Sequence, residues 1–452
     1  MVHARPSCLH ITSALLASLL VFASAQSQTE QTRKLKDFGS SLKKLKWDAT
    51  KNAAIQKTTS SKTTTNSNQE DTVRVETSLV VNDVLVLDIK GQPVNGLTAK
   101  DFEVTEDGTP QQVGMLSLGN NATVPRSIVL IIDYGCSQLP FLKASVAAAK
   151  TLIEKLKSSD HIAIVTDDVD LLIGFTNDKK KLKGKLDELI RRTSLIPTDR
   201  DFELKRFQRY KPPFGRGFQY SALMAVLREA FDQEDQRPII IFQTDGSEAR
   251  ILRNPIVAAG IAPGLPPDLV AQAEADLKHF QRFSKLNPRE FSLADVYRAT
   301  EASRATIYTV VPGLRFMGLK PEERPTQMRA FLNRNIVGFD SANYHKQVSD
   351  YLNRVTEETL SWEAGNLEKL QSSLAVLSTI SGAWIDFFDQ PSQANEIYSR
   401  ILSDIDRRYV VGYYPTNKSH NGKRRMVNIT VRDHPEFIVM GHRAYYAMES
   451  DQ

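Results

Sequence analysis

The sequence predicts an α/β chain in which a doubly wound parallel-sheet domain is inserted between the two halves of a discontinuous antiparallel β-sandwich-like domain. Three observations carry this expectation. Continuous apolar runs alternate with amphipathic helical segments through the middle of the chain. Short runs of period-two alternation, bounded by turn residues, stand on both sides of that region. The length of 452 residues, 41% of them hydrophobic, is enough to build more than one core.

At the start, Arg5 precedes an apolar run over 11–22 and the small residues Ala23-Ser24-Ala25, the order of a secretory signal. Residues 1–25 are therefore expected to be a cleaved signal peptide. No later stretch reaches the roughly 18 apolar residues of a membrane span, so no transmembrane segment is expected after cleavage. Cleavage removes Cys8 and leaves Cys136 as the one thiol, which excludes an internal disulfide. Residues 26–71 are polar, rich in Lys, Thr, Ser and Asn, and are expected to be a disordered linker. Within it, 35–47 has some helical spacing.

Residues 72–121 form the first part of the β domain, with strands expected over 73–77, 79–89 and 102–106 and an Asp107-Gly108 hairpin turn before 109–118. The next region, 125–400, alternates strand and helix. Strands are expected over 127–132, 160–166, 171–175, 238–244 and 306–311, the third being an antiparallel edge. Helices are expected over 141–156, 179–192, 221–231, 292–303 and 367–381, with Thr176-Asn177-Asp178 capping the second. Three stretches, 195–219, 250–291 and 314–366, do not fit this alternation and are expected to decorate the loop ends of the sheet. Residues 405–447 return to strand pattern over 408–414, 425–431 and 437–440, and complete the β domain.

The chemistry is expected where strands end. The first α/β strand runs into Asp133-Tyr134-Gly135-Cys136-Ser137, a later one into Thr244-Asp245-Gly246-Ser247, and Ser221 opens a helix between them. Ligands bind at the carboxyl ends of strands in open α/β sheets. Two carboxylates and two hydroxyls at one edge, without His or Cys, suit Mg²⁺, Mn²⁺ or Ca²⁺ and not zinc. Asp167, Asp168 and Asp170 are better explained by a hairpin turn than by a calcium loop. Cys136 lacks the electropositive setting of a reactive thiolate.

Asp133-x-Gly135-x-Ser137, Ser221-Ala222-Leu223 and Thr244-Asp245-Gly246 together resemble the metal-ion-dependent adhesion site of von Willebrand factor type A domains. The usual pattern is Asp-x-Ser-x-Ser, a distant Thr, and a distant Asp followed by Gly. The flanking β segments make the chain similar, over about 72–447, to the bacterial proteins with a von Willebrand factor A-related acidobacterial domain. The resemblance implies that Ser137 and Ser221 coordinate the cation directly and that Asp133 and Asp245 act directly or through water. A carboxylate from a protein partner would complete the octahedron. Gly135 stands where the first Ser belongs and Ser221 replaces Thr, so the implied site is a degenerate one.

The function expected is that of an exported, periplasmic or secreted, non-enzymatic binding module of adhesion type that captures an acidic side chain of a protein partner. No zinc-protease, nucleophile-elbow, phosphate-loop or dinucleotide motif is present. The balance of 58 basic against 53 acidic residues gives no case for nucleic acid. A basic, aromatic stretch over 205–216 reads first as a decorative loop, next as a rim that attracts an acidic partner, and last as a nucleic-acid surface. Two other readings stay open, a metal-free scaffold of the cell envelope and a metal-dependent hydrolase built on the same oxygens.

Overall fold

The computed structural model describes residues 45–48, 53–56, 79–120, 126–135, 138–167, 170–194, 219–231, 237–246, 261–271, 273–275, 278, 291–337 and 342–447. The signal expected at 1–25, the strand expected at 73–77, Cys136, Ser137 and the basic stretch 205–216 lie outside the described residues. Inside the segment expected to be a linker, β1 (Leu45–Asp48) pairs antiparallel with β2 (Ala53–Gln56). The extended backbone at Leu45 to Trp47 replaces the helical spacing expected there.

Four strands follow: β3 (Val80–Leu87), β4 (Phe102–Glu106), β5 (Thr109–Gln111) and β6 (Val113–Leu118). The Asp107-Gly108 turn joins β4 to β5 as an antiparallel pair. The continuous strand expected over 109–118 is instead divided at Gln112, and its two parts enter different sheets.

Next come β7 (Arg126–Ile132), α1 (Leu139–Lys155), β8 (His161–Thr166), β9 (Leu171–Thr176), α2 (Lys179–Ser194), α3 (Gln219–Glu229) and β10 (Arg237–Gln243). After these stand α4 (Leu293–Ser303), β11 (Thr306–Pro312), α5 (Arg324–Val337), α6 (Ala342–Leu352), α7 (Glu357–Ile380), β12 (Ile385–Phe388) and α8 (Ala394–Arg407). The strands form a six-stranded sheet in the order β12-β11-β10-β7-β8-β9, parallel except for the edge strand β9. Alternate residues of the apolar strands face opposite layers of helices. Ile128, Leu130, Ile132, Ile239 and Ile241 pack with α1, α2 and α8, while Val129, Ile131, Ile240 and Phe242 pack with α3, α4 and α7.

Helix starts follow local chemistry. Asp178 Oδ1 accepts from the Lys181 N–H, and Ser292 and Asp295 form a reciprocal capping box. Thr356 caps α7, with Glu357 and Glu358 in its first turn at the positive end of the helix dipole. That cap sets the helix a good two turns earlier than the start expected at 367. The described residues of the stretch 314–366 are largely helical. Its helices close a separate core of Phe316, Met328, Leu332, Val348, Tyr351, Leu360 and Ala364.

A carboxylic acid is buried in that core. Glu363 Oε1 accepts from the Tyr351 hydroxyl at 2.6 Å, and burial pushes its pKa from 4.5 up to about 8. The folded pKa lies above the unfolded one, so its contribution is complete below pH 4.5 and is lost as pH rises toward 8. Glu363→Gln should therefore be neutral at pH 4 and stabilising by about 3 kcal/mol at pH 7. Urea midpoints measured across pH 4–8 check this, and a pH-independent difference between variant and wild type would refute it.

The chain closes with β13 (Tyr409–Tyr413), β14 (Arg424–Val431), β15 (Ile438–Met440) and β16 (Ala444–Tyr446). Two four-stranded sheets result, β15-β3-β13-β6 and β16-β14-β4-β5, each drawing strands from both ends of the chain. They share a core of Val84, Val86, Phe102, Val104, Tyr409, Val411, Val427 and Ile429.

This β unit is mounted under the amino edge of the six-stranded sheet. Arg237, the first residue of β10, donates from Nε to both carboxylate oxygens of Asp83 in β3, at 2.9 and 3.1 Å. Arg408, 1% exposed, donates to the Tyr308 hydroxyl (2.8 Å), Asp404 Oδ1 (3.2 Å), the Asp83 carbonyl (3.1 Å) and the Gly382 carbonyl (2.6 Å). The opposite, carboxyl edge is thereby left to loops and to the helical insertion.

Candidate functional site

The parallel ladder continues one residue past the strands and fixes the loops of the carboxyl edge. The Asp133 N–H donates to the Gln243 carbonyl at 3.0 Å, the Thr244 N–H to Val310 at 3.0 Å, and the Asp167 N–H to Ile132 at 3.1 Å. Asp133, Asp167 and Thr244-Asp245 thus stand side by side at the ends of β7, β8 and β10.

Asp133 is buried, and donors converge on both of its oxygens. Oδ1 accepts from the Gly135 N–H at 2.9 Å. Oδ2 accepts from Gln219 Nε2 at 3.0 Å and from the Thr244 hydroxyl at 3.2 Å. Despite these bonds, burial first and the neighbouring Asp245 carboxylate second push its pKa up to about 7. Asp245 is half-buried, and its Oδ2 accepts from Gln138 Nε2 at 3.4 Å. Asp167 Oδ1 takes the Tyr134 N–H at 3.2 Å, which ties the hairpin after β8 to the Asp133 loop. The Thr166 N–H is bonded to the Asp170 carbonyl, while Asp168 and Val169 of the turn expected there lie outside the described residues.

The structure therefore brings together Asp133, Gly135 and Asp245, and Ser137 lies outside the described residues. Ser221 does not open its helix. The described part of the helix already includes Gln219, which donates to Asp133, and Tyr220, which packs edge-on against Phe242 in the core. Ser221 thus lies inside the helix, behind Gln219 and Tyr220. A Cβ at Gly135 would lie 3.1 Å from Asp133 Oδ1, a tight contact that the Ser of the usual motif would relieve only by a small shift of that carboxylate.

Sequence reasoning missed Gln138 and Gln219, since amide side chains carry no motif of their own. Thr244 was visible beside Asp245, but only the fold shows that its hydroxyl turns back to Asp133. Among the described residues, no group of three or more His, Cys, Asp or Glu gathers to hold a metal ion. The donor set that is present is hard oxygen. Gln138 Oε1 is also buried, with no hydrogen-bond partner among the described residues. The Asp245 carboxylate disfavours charge on Asp133, and hard oxygen donors are of the type that Mg²⁺, Mn²⁺ or Ca²⁺ takes.

Fold and edge define a mixed α/β protein with an acidic, partly satisfied carboxyl edge. No family model matches the chain, and no curated protein matches it. Among solved structures it is similar to proximal thread matrix protein 1 from the mussel byssus, at 11% identity and a TM-score of 0.27. That match covers 62% of this chain and 48% of the other, so the chain spans about half the length of the structure it matches. A likeness at that TM-score bears on neither fold family nor function. No helix among the described residues is long and apolar enough to cross a membrane.

Proposed function

We propose that this chain is an exported, non-enzymatic binding protein, related to von Willebrand factor type A domains, that captures an acidic side chain of a protein partner at the carboxyl edge of its sheet. The observation that carries the reading is the meeting of Asp133 and Asp245 at adjacent strand ends, with Asp133 raised to about 7 by burial and by its neighbour. Asp133, Asp245, Ser137 and Ser221 would hold Mg²⁺, or Mn²⁺ or Ca²⁺, and the bound ion would supply a Lewis-acidic position for a partner carboxylate. This chain's own groups do the rest. Gln219 and Thr244 fix Asp133 Oδ2, and Gln138 holds Asp245 from the other side.

One observation favours the metal-free scaffold instead. Both oxygens of Asp133 already accept bonds from protein donors, so the loop is held without a cation. Calorimetric titration of Mg²⁺ and Mn²⁺ into chelator-treated protein separates the two readings. The expected result is heat of binding and a stabilisation of about 2.7 kcal/mol at free metal near 100 times Kd, seen as a melting point raised by several degrees. Asp133→Ala and Asp245→Ala should abolish both signals. Silence at millimolar metal would leave the scaffold reading standing and end the adhesion-site one.

A further inference from the structure

One imidazole is sealed into the junction between the β unit and the six-stranded sheet. His442 stands in the loop between β15 and β16 and is 6% exposed. Its backbone N–H donates to Asn82 Oδ1 of β3 at 3.1 Å. The preceding residue, Gly441, is pressed so closely on the Gly382 turn after α7 that no Cβ fits at Gly382. The loop is thus held from both sides of the junction, and the ring goes in with it. Neither ring nitrogen makes a hydrogen bond of normal geometry. Buried polar atoms are almost always paired, because an unpaired one forfeits its hydration without return. The ring therefore carries a cost that an apolar side chain would not.

The charges around it leave no counter-ion for a proton. Asp83 of β3 attracts one, but both of its carboxylate oxygens already accept from Arg237 Nε of β10. Arg408, just ahead of β13, repels one, and its own acid, Asp404 of α8, is shared with Trp384 Nε1. Arg304, at the end of α4, repels one too, and its surroundings are the rings of Tyr413 and Tyr445 in place of a carboxylate. Arg443, next in the chain, is exposed. Three arginines thus meet two carboxylates, and an imidazolium would be a fourth cation. Burial first and Arg408 second hold the His442 pKa down at about 4, against the pull of Asp83 and a small attraction from the Arg304 carbonyl.

We propose that His442 is an acid-sensitive latch: neutral, it lets the loop between β15 and β16 close on the Gly382 turn, and protonated, it drives that loop off the turn and loosens the β unit from the inserted domain. The folded pKa lies below the 6.5 of a free imidazole, so the contribution is complete above pH 6.5 and is lost as pH falls toward 4. The closing equilibrium should weaken about 25-fold between pH 7 and pH 5. Glu363 works in the opposite direction, so a melting curve of the whole chain mixes the two and a local readout is needed.

Hydrogen exchange read by mass spectrometry on the full chain at pH 7 and pH 5, corrected for the intrinsic pH dependence of amide exchange, tests the latch. Peptides covering 438–447 and 380–384 should lose about 25-fold of their protection at pH 5, while those of β7 and β10 keep theirs. His442→Gln, neutral at both pH values, should show no such loss. Arg304→Gln, which leaves the ring in place and removes one facing cation, should reduce the loss. The His442 ring signals in an NMR titration should move only below about pH 5. Equal losses in wild type and His442→Gln, no loss in the wild type, a loss spread evenly over β7 and β10, or a ring that titrates near 6.5 would each overturn the proposal.

Discussion

Arg408→Ala should lower the unfolding free energy by about 3–5 kcal/mol, the usual cost of removing one partner from a buried ionic network. The guanidinium is surrounded by groups from four separate elements: Tyr308 of β11, Asp404 of α8, the Asp83 carbonyl of β3 and the Gly382 carbonyl before β12. Alanine satisfies none of them and leaves the Asp404 carboxylate buried without its cation. Arg408→Lys keeps the charge but not the planar fork, and should recover only a minor part of the loss. Urea midpoints and melting temperatures give the comparison, and a loss under about 1 kcal/mol would show that the junction does not rest on this residue. Because Arg408 sits at the amino edge, any Mg²⁺ heat at the carboxyl edge should survive in the folded variant.

Gly382→Ala should be at least as damaging, at about 4 kcal/mol or more. Its φ of +76° is left-handed, and a Cβ there would lie 2.6 Å from both Cα and the carbonyl carbon of Gly441. The first feature alone costs about 1–2 kcal/mol. The second cannot be relieved by a rotamer, since both colliding atoms are backbone, so the loop after β15 must move off the end of α7. Gly91→Ala separates the two contributions, having a φ of +74° with nothing within 4 Å of its Cβ. It should lose only the conformational part, about 1 kcal/mol. Since the Gly382 carbonyl also receives Arg408 Nη2, the Arg408→Ala, Gly382→Ala double variant should lose less than the sum of the single losses. Full additivity would mean that the two contacts act independently.

The elements legible in the sequence were those whose pattern is set by burial on both faces. The runs ending at Ile132, Thr166 and Gln243 are continuous and apolar, and each lies in the parallel sheet within a residue or two of expectation. Less legible were elements whose buried face carries polar residues. In α7, which was expected only from 367, the buried Glu363 and Asn366 break the apolar period and hide the part of the helix that follows the Thr356 cap. By contrast, the missed α8 carries an unbroken apolar stripe at Ile397, Ile401 and Ile405, beside the buried Asp404 that pairs with Arg408, and it was legible in the sequence. For the edge chemistry, Asp133 and Asp245 were readable because a carboxylate right after an apolar strand has few structural reasons to be there. Gln138 and Gln219 were not, because an amide becomes informative only when the fold shows which oxygen it faces.

The sharing of strands between the two ends of the chain has a mechanical meaning. β3, near one end, is zipped between β13 and β15, and β14, near the other, is held between β4 and β16. Tension applied at the ends of the described chain is thus carried across the β sheets, and the residues between β6 and β13 form a slack loop outside the load path. While those pairings hold, a tethered molecule can be pulled without deforming the edge that bears Asp133 and Asp245. Once they shear, the load passes to the inserted domain and to the edge it carries.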